Sequence, residues 1–217
     1  MPPAASSLGA SPCWTETRVR ILLIGATGTL GRAVATALAD TADLVTASRT
    51  GEHPVDLTDP ASIAALYDSL GVVDAVACTA GVTPFRPLGE LAREDYLAGL
   101  TDKLLGQIEL VRQGIDHVAD GGSFTLVSGV LAYDPIVTGT VASVVNGALD
   151  AFVRAAAIEL PRGQRINAIS ATVFEEAWDS YGEYFPGHKP VATAEAARAY
   201  VKSVHGRQTG QVYRVGY

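Results

Sequence analysis

The stretch Gly25-Ala26-Thr27-Gly28-Thr29-Leu30-Gly31 constrains this chain more than any other. It follows directly on Val19-Arg20-Ile21-Leu22-Leu23-Ile24, a run with the character of a strand buried on both faces. It opens onto Leu30 to Asp40, an Ala- and Leu-rich helical pattern. At such a strand-to-helix turn the three glycines have separate physical tasks. Gly25 permits the tight turn, Gly28 lets a diphosphate approach the backbone, and Gly31 lets the helix pack close to the sheet. The N–H groups near Thr29 and Leu30 then face the anion with the positive end of the helix dipole behind them. The turn is expected to hold a dinucleotide through Gly25, Thr27, Gly28, Thr29, Leu30 and Gly31.

Downstream, apolar runs alternate with helical patterns. Leu44 to Ala47 and Val72 to Cys78 have strand character. Pro60 to Leu70 is a helix opened by Asp59 as N-cap. Tyr96, Leu100, Leu104, Ile108, Val111 and Ile115 recur at helical spacing and predict one long amphipathic helix. Ser123 to Val127 is a strand, Ala142 to Leu160 a helix, Arg165 to Ser170 a strand, Thr193 to His205 a helix and Gln211 to Val215 a closing strand. Strands joined by crossover helices predict an α/β protein, a single-domain Rossmann fold with a doubly wound parallel sheet of about seven strands. The expected domain spans residues 19–217. Residues 1–18, rich in Ala, Ser and Pro, are expected to form a flexible leader rather than a signal peptide.

Composition excludes several function classes. A net charge of −7 argues against nucleic acid as a partner. No apolar run approaches the roughly 20 residues that span a bilayer, so no membrane role is expected. Four scattered histidines (His53, His117, His188, His205) lack metal-ligand spacing, and no metal is expected. Two cysteines, Cys13 and Cys78, fit a reducing compartment, and the expected location is cytoplasmic. Only three lysines are present, Lys103, Lys189 and Lys202.

The tip of the second strand selects the dinucleotide. A carboxylate there would bind the ribose 2′-hydroxyl of NAD. The chain instead has Ser48-Arg49-Thr50, and a guanidinium flanked by hydroxyls suits a 2′-phosphate. NADP(H) is therefore expected in preference to NAD(H).

These features together resemble the short-chain dehydrogenase/reductase family, over nearly everything from residue 19 to 217. The loop Gly25 to Gly31 is similar to the family's cofactor loop, with spacing closer to its extended or atypical branches. Asp56 and Leu57, in Val55-Asp56-Leu57-Thr58-Asp59, resemble the segment that flanks the adenine. Thr79-Ala80-Gly81 resembles the end of the family's Asn-Asn-Ala-Gly turn, with Cys78 and Thr79 in place of the asparagines. Ser128 matches the serine that hydrogen-bonds a substrate oxygen. Arg165 to Ser170 resembles the strand leading to the nicotinamide loop, which begins here with Ala171-Thr172 instead of Pro-Gly.

The resemblance also exposes departures. The family carries Tyr-x-x-x-Lys on the helix after the serine, the tyrosine exchanging a proton with the substrate oxygen and the lysine lowering its pKa and holding the nicotinamide ribose. Aligned on Ala148 to Phe152, this chain has Ala142 and Asn146 at those positions, and a one-residue shift offers Val141 in place of Ala142; neither can move a proton. Lys103 stands where the family has a structural asparagine. The resemblance implies an oxidoreductase acting on a small carbonyl or alcohol compound, with Ser128, Tyr133 and Lys103 as catalytic candidates and Asn146 and Thr172 beside the cofactor. A non-redox isomerase, cyclase or lyase on the same fold, or an NADP(H) sensor without turnover, stays open. Tyr181, Tyr184 and Phe185 are candidates for a lid. The family's usual pairing implies a homodimer or homotetramer through the long helix and the helix from Ala142. Gly147, Ala151 and Ala155 would let backbones approach, with Leu149 and Phe152 supplying burial.

Overall fold

Val19–Ile24 forms β1, and its Ile21, Leu22 and Leu23 are fully buried because helices cover both faces of the sheet. A computed structural model describes residues 18–217. All of the expected leader except Arg18, and Cys13 within it, therefore lies outside the described residues. Arg18 is tied down, its guanidinium donating to the carbonyls of Ala39 and Ala42 and pairing with Asp43.

The remaining strands are β2 (Ala42–Ser48), β3 (His53–Pro54), β4 (Val73–Cys78), β5 (Val118–Val127), β6 (Arg165–Ala171) and β7 (Gln211–Val215). They form one parallel sheet in the order β3-β2-β1-β4-β5-β6-β7, the α/β Rossmann arrangement expected. The two-residue β3 is too short for any periodicity to mark it in the sequence. The helices are α1 (Thr29–Leu38), α2 (Pro60–Leu70), α3 (Arg93–Gly99), α4 (Gly106–Gly114), α5 (Thr140–Ala156), α6 (Trp178–Tyr181) and α7 (Thr193–His205). Asp59 caps α2 as expected, its carboxylate accepting from the Ala61 N–H at 2.9 Å.

Two cores result. On one face Ile63, Tyr67, Leu110, Val145 and Leu149 from α2, α4 and α5 pack on the sheet. On the other, Val34 and Leu38 of α1 meet Ala196, Ala197 and Tyr200 of α7. Tyr67 and Tyr200 are buried whole, and each hydroxyl finds a backbone carbonyl at 2.6 Å, Leu110 and Cys78 respectively. Leu149 belongs to this core and presents nothing to a partner subunit, so its expected role in pairing is corrected. It points inward because it repeats with Val145 and Val153 along the buried stripe of α5.

The long amphipathic helix is not one α-helix. Between α3 and α4 lies a π-helical segment, Leu100–Leu105, in which the Gly106 N–H reaches back to the Thr101 carbonyl. Such i→i+5 turns are rare and concentrate at functional sites. This one carries Lys103.

Candidate active site

The sheet order reverses between β1 and β4, which opens a crevice above the carboxyl ends of the strands. The loops after these two strands are laced together there. The Thr79 N–H and hydroxyl both donate to the Ile24 carbonyl, at 2.9 and 2.8 Å, and the Gly25 N–H donates to Ala47. A Cβ on Gly31 would collide with the Gly25 carbonyl oxygen, so only glycine lets α1 start this close to β1. Thr27, Gly28 and Thr29 are exposed at the mouth of the crevice, Leu30 turns into the core, and no side chain caps the start of α1. Its first N–H groups therefore face outward.

The tip of β2 forms the crevice's other rim. Arg49 and Thr50 are exposed, and the Ser48 hydroxyl donates to the Thr50 carbonyl. Asp56 follows. The Thr58 N–H, helped by the Thr58 hydroxyl and the nearby Arg49 guanidinium, holds its carboxyl below the usual range. Leu57 packs against Gly106, where a Cβ would strike it.

From the crevice an open cavity of about 670 Å³ extends over β5 and β6. Gly81, Lys103, Ser128, Ala142, Asn146 and Thr172 line it together. Most of the remaining wall is apolar, including Val82, Phe85, Val130, Leu131, Ile136 and Phe174. Tyr181, Tyr184 and Phe185 close one side. They belong to an excursion whose ends are pinned by the Phe174–Val191 bridge and by Glu176, whose carboxylate accepts from the Thr193 N–H at 3.0 Å. Phe85, Ile136 and Phe174 lie in irregular segments, and no sequence pattern marked them as wall residues.

The cavity gathers polar atoms that the protein does not satisfy. Ser128, Asn146 and Thr172 are each about 95% buried, yet Ser128 Oγ, Asn146 Oδ1 and Thr172 Oγ1 have no hydrogen-bond partner. Stranding a buried polar atom costs roughly 1–3 kcal/mol, so three around one cavity point to a polar ligand there.

Lys103 is the one charged residue among those that line the cavity. Its stem lies against Gly81, where a Cβ would come within 2.6 Å of Lys103 Cγ. Its Nζ donates to the Ser128 carbonyl at 3.1 Å. Lys103 is half-buried, and burial pushes its pKa down to about 8. Cys78, Asp150 and Asp102 oppose that shift. Burial, however, holds the Cys78 thiol up to about 12, so near neutrality only the two carboxylates attract the ammonium.

Tyr133 does not join this group, and its expected place in the site is corrected. The short helical turn Val130–Ala132 swings it away from Ser128. Its hydroxyl donates to Asp150 Oδ2 at 2.7 Å, and the Arg214 guanidinium covers its ring at 3.9 Å. It is 40% exposed and is not a cavity residue.

Comparison with known proteins agrees with this fold. The family model described as enoyl-(acyl carrier protein) reductase matches residues 21–208. The short chain dehydrogenase/reductase AacuN of Aspergillus aculeatus is 33% identical over 85 residues, 39% of this chain and 32% of that protein. A short-chain dehydrogenase/reductase of Pestalotiopsis microspora is 27% identical over 129 residues, 58% of this chain and 49% of that one. The chain thus matches a third to a half of the length of these curated relatives. Among solved structures, the protein lin1944 of Listeria innocua superposes with a TM-score of 0.89 at 48% identity, covering 90% of this chain and 98% of that one. A small-chain dehydrogenase in complex with NADPH superposes with a TM-score of 0.81 at 24% identity, covering 91% and 96%, a likeness of fold. With its model matched over most of the length, on the parallel sheet that this family's structures share, the chain belongs to the short-chain dehydrogenase/reductase family.

Proposed function

We propose that the protein is an NADP(H)-dependent oxidoreductase that interconverts a carbonyl and an alcohol on an apolar small molecule, with Lys103 as its proton-holding group. The observation that carries this reading is the convergence of Lys103 and the unpartnered Ser128 hydroxyl on one apolar cavity beside the glycine loop.

The chain's residues fit a dinucleotide. The uncapped start of α1 with Gly25, Thr27, Gly28, Thr29, Leu30 and Gly31 suits the diphosphate. Asp56 and Leu57, with Thr79, Ala80 and Gly81 across the crevice, suit the adenine and the adjoining ribose. Asn146 and Thr172 have buried oxygens free for the nicotinamide end. A nicotinamide bound there supplies or takes up the hydride. Ser128 donates a hydrogen bond to the reacting oxygen and orients it. Lys103, as its ammonium, gives that oxygen a proton during reduction and recovers it during oxidation. Ala142 and Asn146 leave no tyrosine or lysine on α5 for the task. The apolar wall lowers the local dielectric around both contacts and strengthens them.

Ser48, Arg49 and Thr50 carry the preference for NADP(H), which the NADPH complex of a structural relative also favours. NADPH is expected to bind more tightly than NADH. Arg49→Ala should weaken NADPH alone by roughly 10- to 100-fold, the worth of a charged hydrogen-bonded contact. Calorimetric titration of both dinucleotides checks this, and equal affinities in the unaltered protein would refute it.

The reading includes a homodimer or homotetramer. Leu97, Leu105 and Val144 are exposed on the paired helices, and Ala151 and Ala155 lie on the outer side of α5. Light scattering at micromolar concentration is expected to report at least twice the 22.6 kDa chain mass; a monomer counts against it. No helix among the described residues is long and apolar enough to cross a membrane. A cytoplasmic location goes with the reading.

A further inference from the structure

We propose that Lys103 is also a nucleophile, whose neutral amine captures an aldehyde or ketone in the apolar cavity as an imine. This goes beyond the reductase reading, because the reaction needs no nicotinamide.

Three features of the geometry point to it. First, the side chain is held rather than loose. The π-helical segment presents Lys103 to the cavity, Gly81 makes room for its stem, and the Ser128 carbonyl accepts one Nζ hydrogen. A neutral amine that donates a hydrogen to a carbonyl keeps its lone pair available. Second, the surrounding wall is apolar and contains no carboxylate. Such a wall gathers an uncharged carbonyl compound and favours the loss of water. Third, the Ser128 hydroxyl is buried without a partner on the same wall, where it can hold the carbonyl oxygen during attack.

The Ser128 carbonyl accepts from the amine, and the groups whose charge acts on it are the Cys78 thiol from β4, Asp150 from α5 and Asp102 on its own helix. Burial overrides the two carboxylates and lowers the amine's pKa from 10.5 to about 8. At pH 7 that gives roughly 300-fold more neutral amine than a lysine at the ordinary value. Lysines desolvated in apolar pockets gain their nucleophilicity in this way.

The chemistry balances without oxidant or reductant. The nitrogen lone pair attacks the carbonyl carbon, and the carbonyl π pair moves to oxygen. A proton passes from nitrogen to oxygen to give a carbinolamine. Solvent protonates its hydroxyl, the nitrogen lone pair returns and expels water, and the resulting iminium gives a proton back to solvent to leave the imine. The ammonium that protonates a carbonyl oxygen below pH 8 and the amine that attacks its carbon above pH 8 are thus one group in two states.

The test uses the full chain without added nicotinamide, with 4-phenyl-2-butanone as probe and cyanoborohydride to trap the imine as a stable secondary amine. Intact mass and peptide mapping read the result, which three lysines make unambiguous. Labelling is expected on Lys103 at least about tenfold above Lys189, Lys202 and the N-terminal amine. Raising the pH from 6 to 8 should increase it, as neutral amine replaces ammonium through a pKa of about 8. Lys103→Met should abolish the adduct, and the peptide map of the unaltered protein decides the matter even where that variant folds poorly. Absence of an adduct, or adducts spread evenly over Lys189 and Lys202, overturns the proposal. Neither outcome bears on hydride transfer, since no nicotinamide is present.

Discussion

Lys103→Met is expected to lower turnover by about 10²–10⁴-fold, the usual worth of a positioned general acid or base. The side chain's volume is kept and the apolar wall gains a thioether, so folding should survive. Removing a buried ammonium also lifts its desolvation cost, although Asp150 and Asp102 lose a neighbouring cation. The pH profile separates chemistry from structure. Because burial lowers the amine's pKa, the ammonium prevails below about pH 8 and is lost as the pH rises through it. Reduction consumes a proton, so its rate should hold below pH 8 and fall above. Oxidation needs the neutral amine and should rise over the same interval. In Lys103→Met both limbs should vanish along with the rate. Steady-state rates in both directions, followed at the nicotinamide absorbance from pH 6 to 10, check this. A variant retaining its rate and both limbs would show that another group moves the proton.

Ser128→Ala is the second large effect, a loss of roughly 10²–10³-fold in kcat, as when one preorganised donor to a reacting oxygen is removed. Here stability and catalysis should part cleanly. Ser128 Oγ has no protein partner, so its removal strands nothing, and stability should change by less than about 1 kcal/mol. The Nζ of Lys103 donates to the backbone carbonyl of Ser128 and not to its hydroxyl, so that contact survives the substitution. The losses in Ser128→Ala and Lys103→Met should not add in the double variant, because both act on one oxygen. Turnover in the single variants and the double, with thermal unfolding alongside, tests this. Unchanged kcat in Ser128→Ala would remove Ser128 from the chemistry.

The parts of the fold legible in sequence were those where backbone geometry dictates residue type. Gly31 has to be glycine because α1 begins against the Gly25 carbonyl, and Asp59-Pro60 opens α2 because one accepts an orphan N–H and the other lacks one. The grouping of Lys103 with Ser128 could be anticipated only through family resemblance, since 25 residues separate them. Tyr133 shows the limit of counting along a chain. It lies five residues after Ser128, but one turn of 3₁₀-helix redirects it to Asp150 and Arg214. The π-helical segment was invisible for a related reason. Tyr96, Leu100 and Leu104 keep an α-like spacing across it, and a one-residue change in hydrogen-bond register leaves no mark on composition.

That register change gives the helix two competing loyalties. A turn closed between residues five apart holds one residue more than an α-turn, and each α-helical residue advances the chain by about 100° about the axis. Drawn back into α-helical register, the segment Leu100–Leu105 would gain regular hydrogen bonds but twist one flank of the helix against the other. Either Lys103 would leave the cavity or Leu110 and Val111 would leave the core that buries them. Local backbone preference and the anchorage at both ends therefore pull in opposite directions. Lys103 keeps its place because the hydrophobic grip on α4 outweighs what the helix forgoes in regularity.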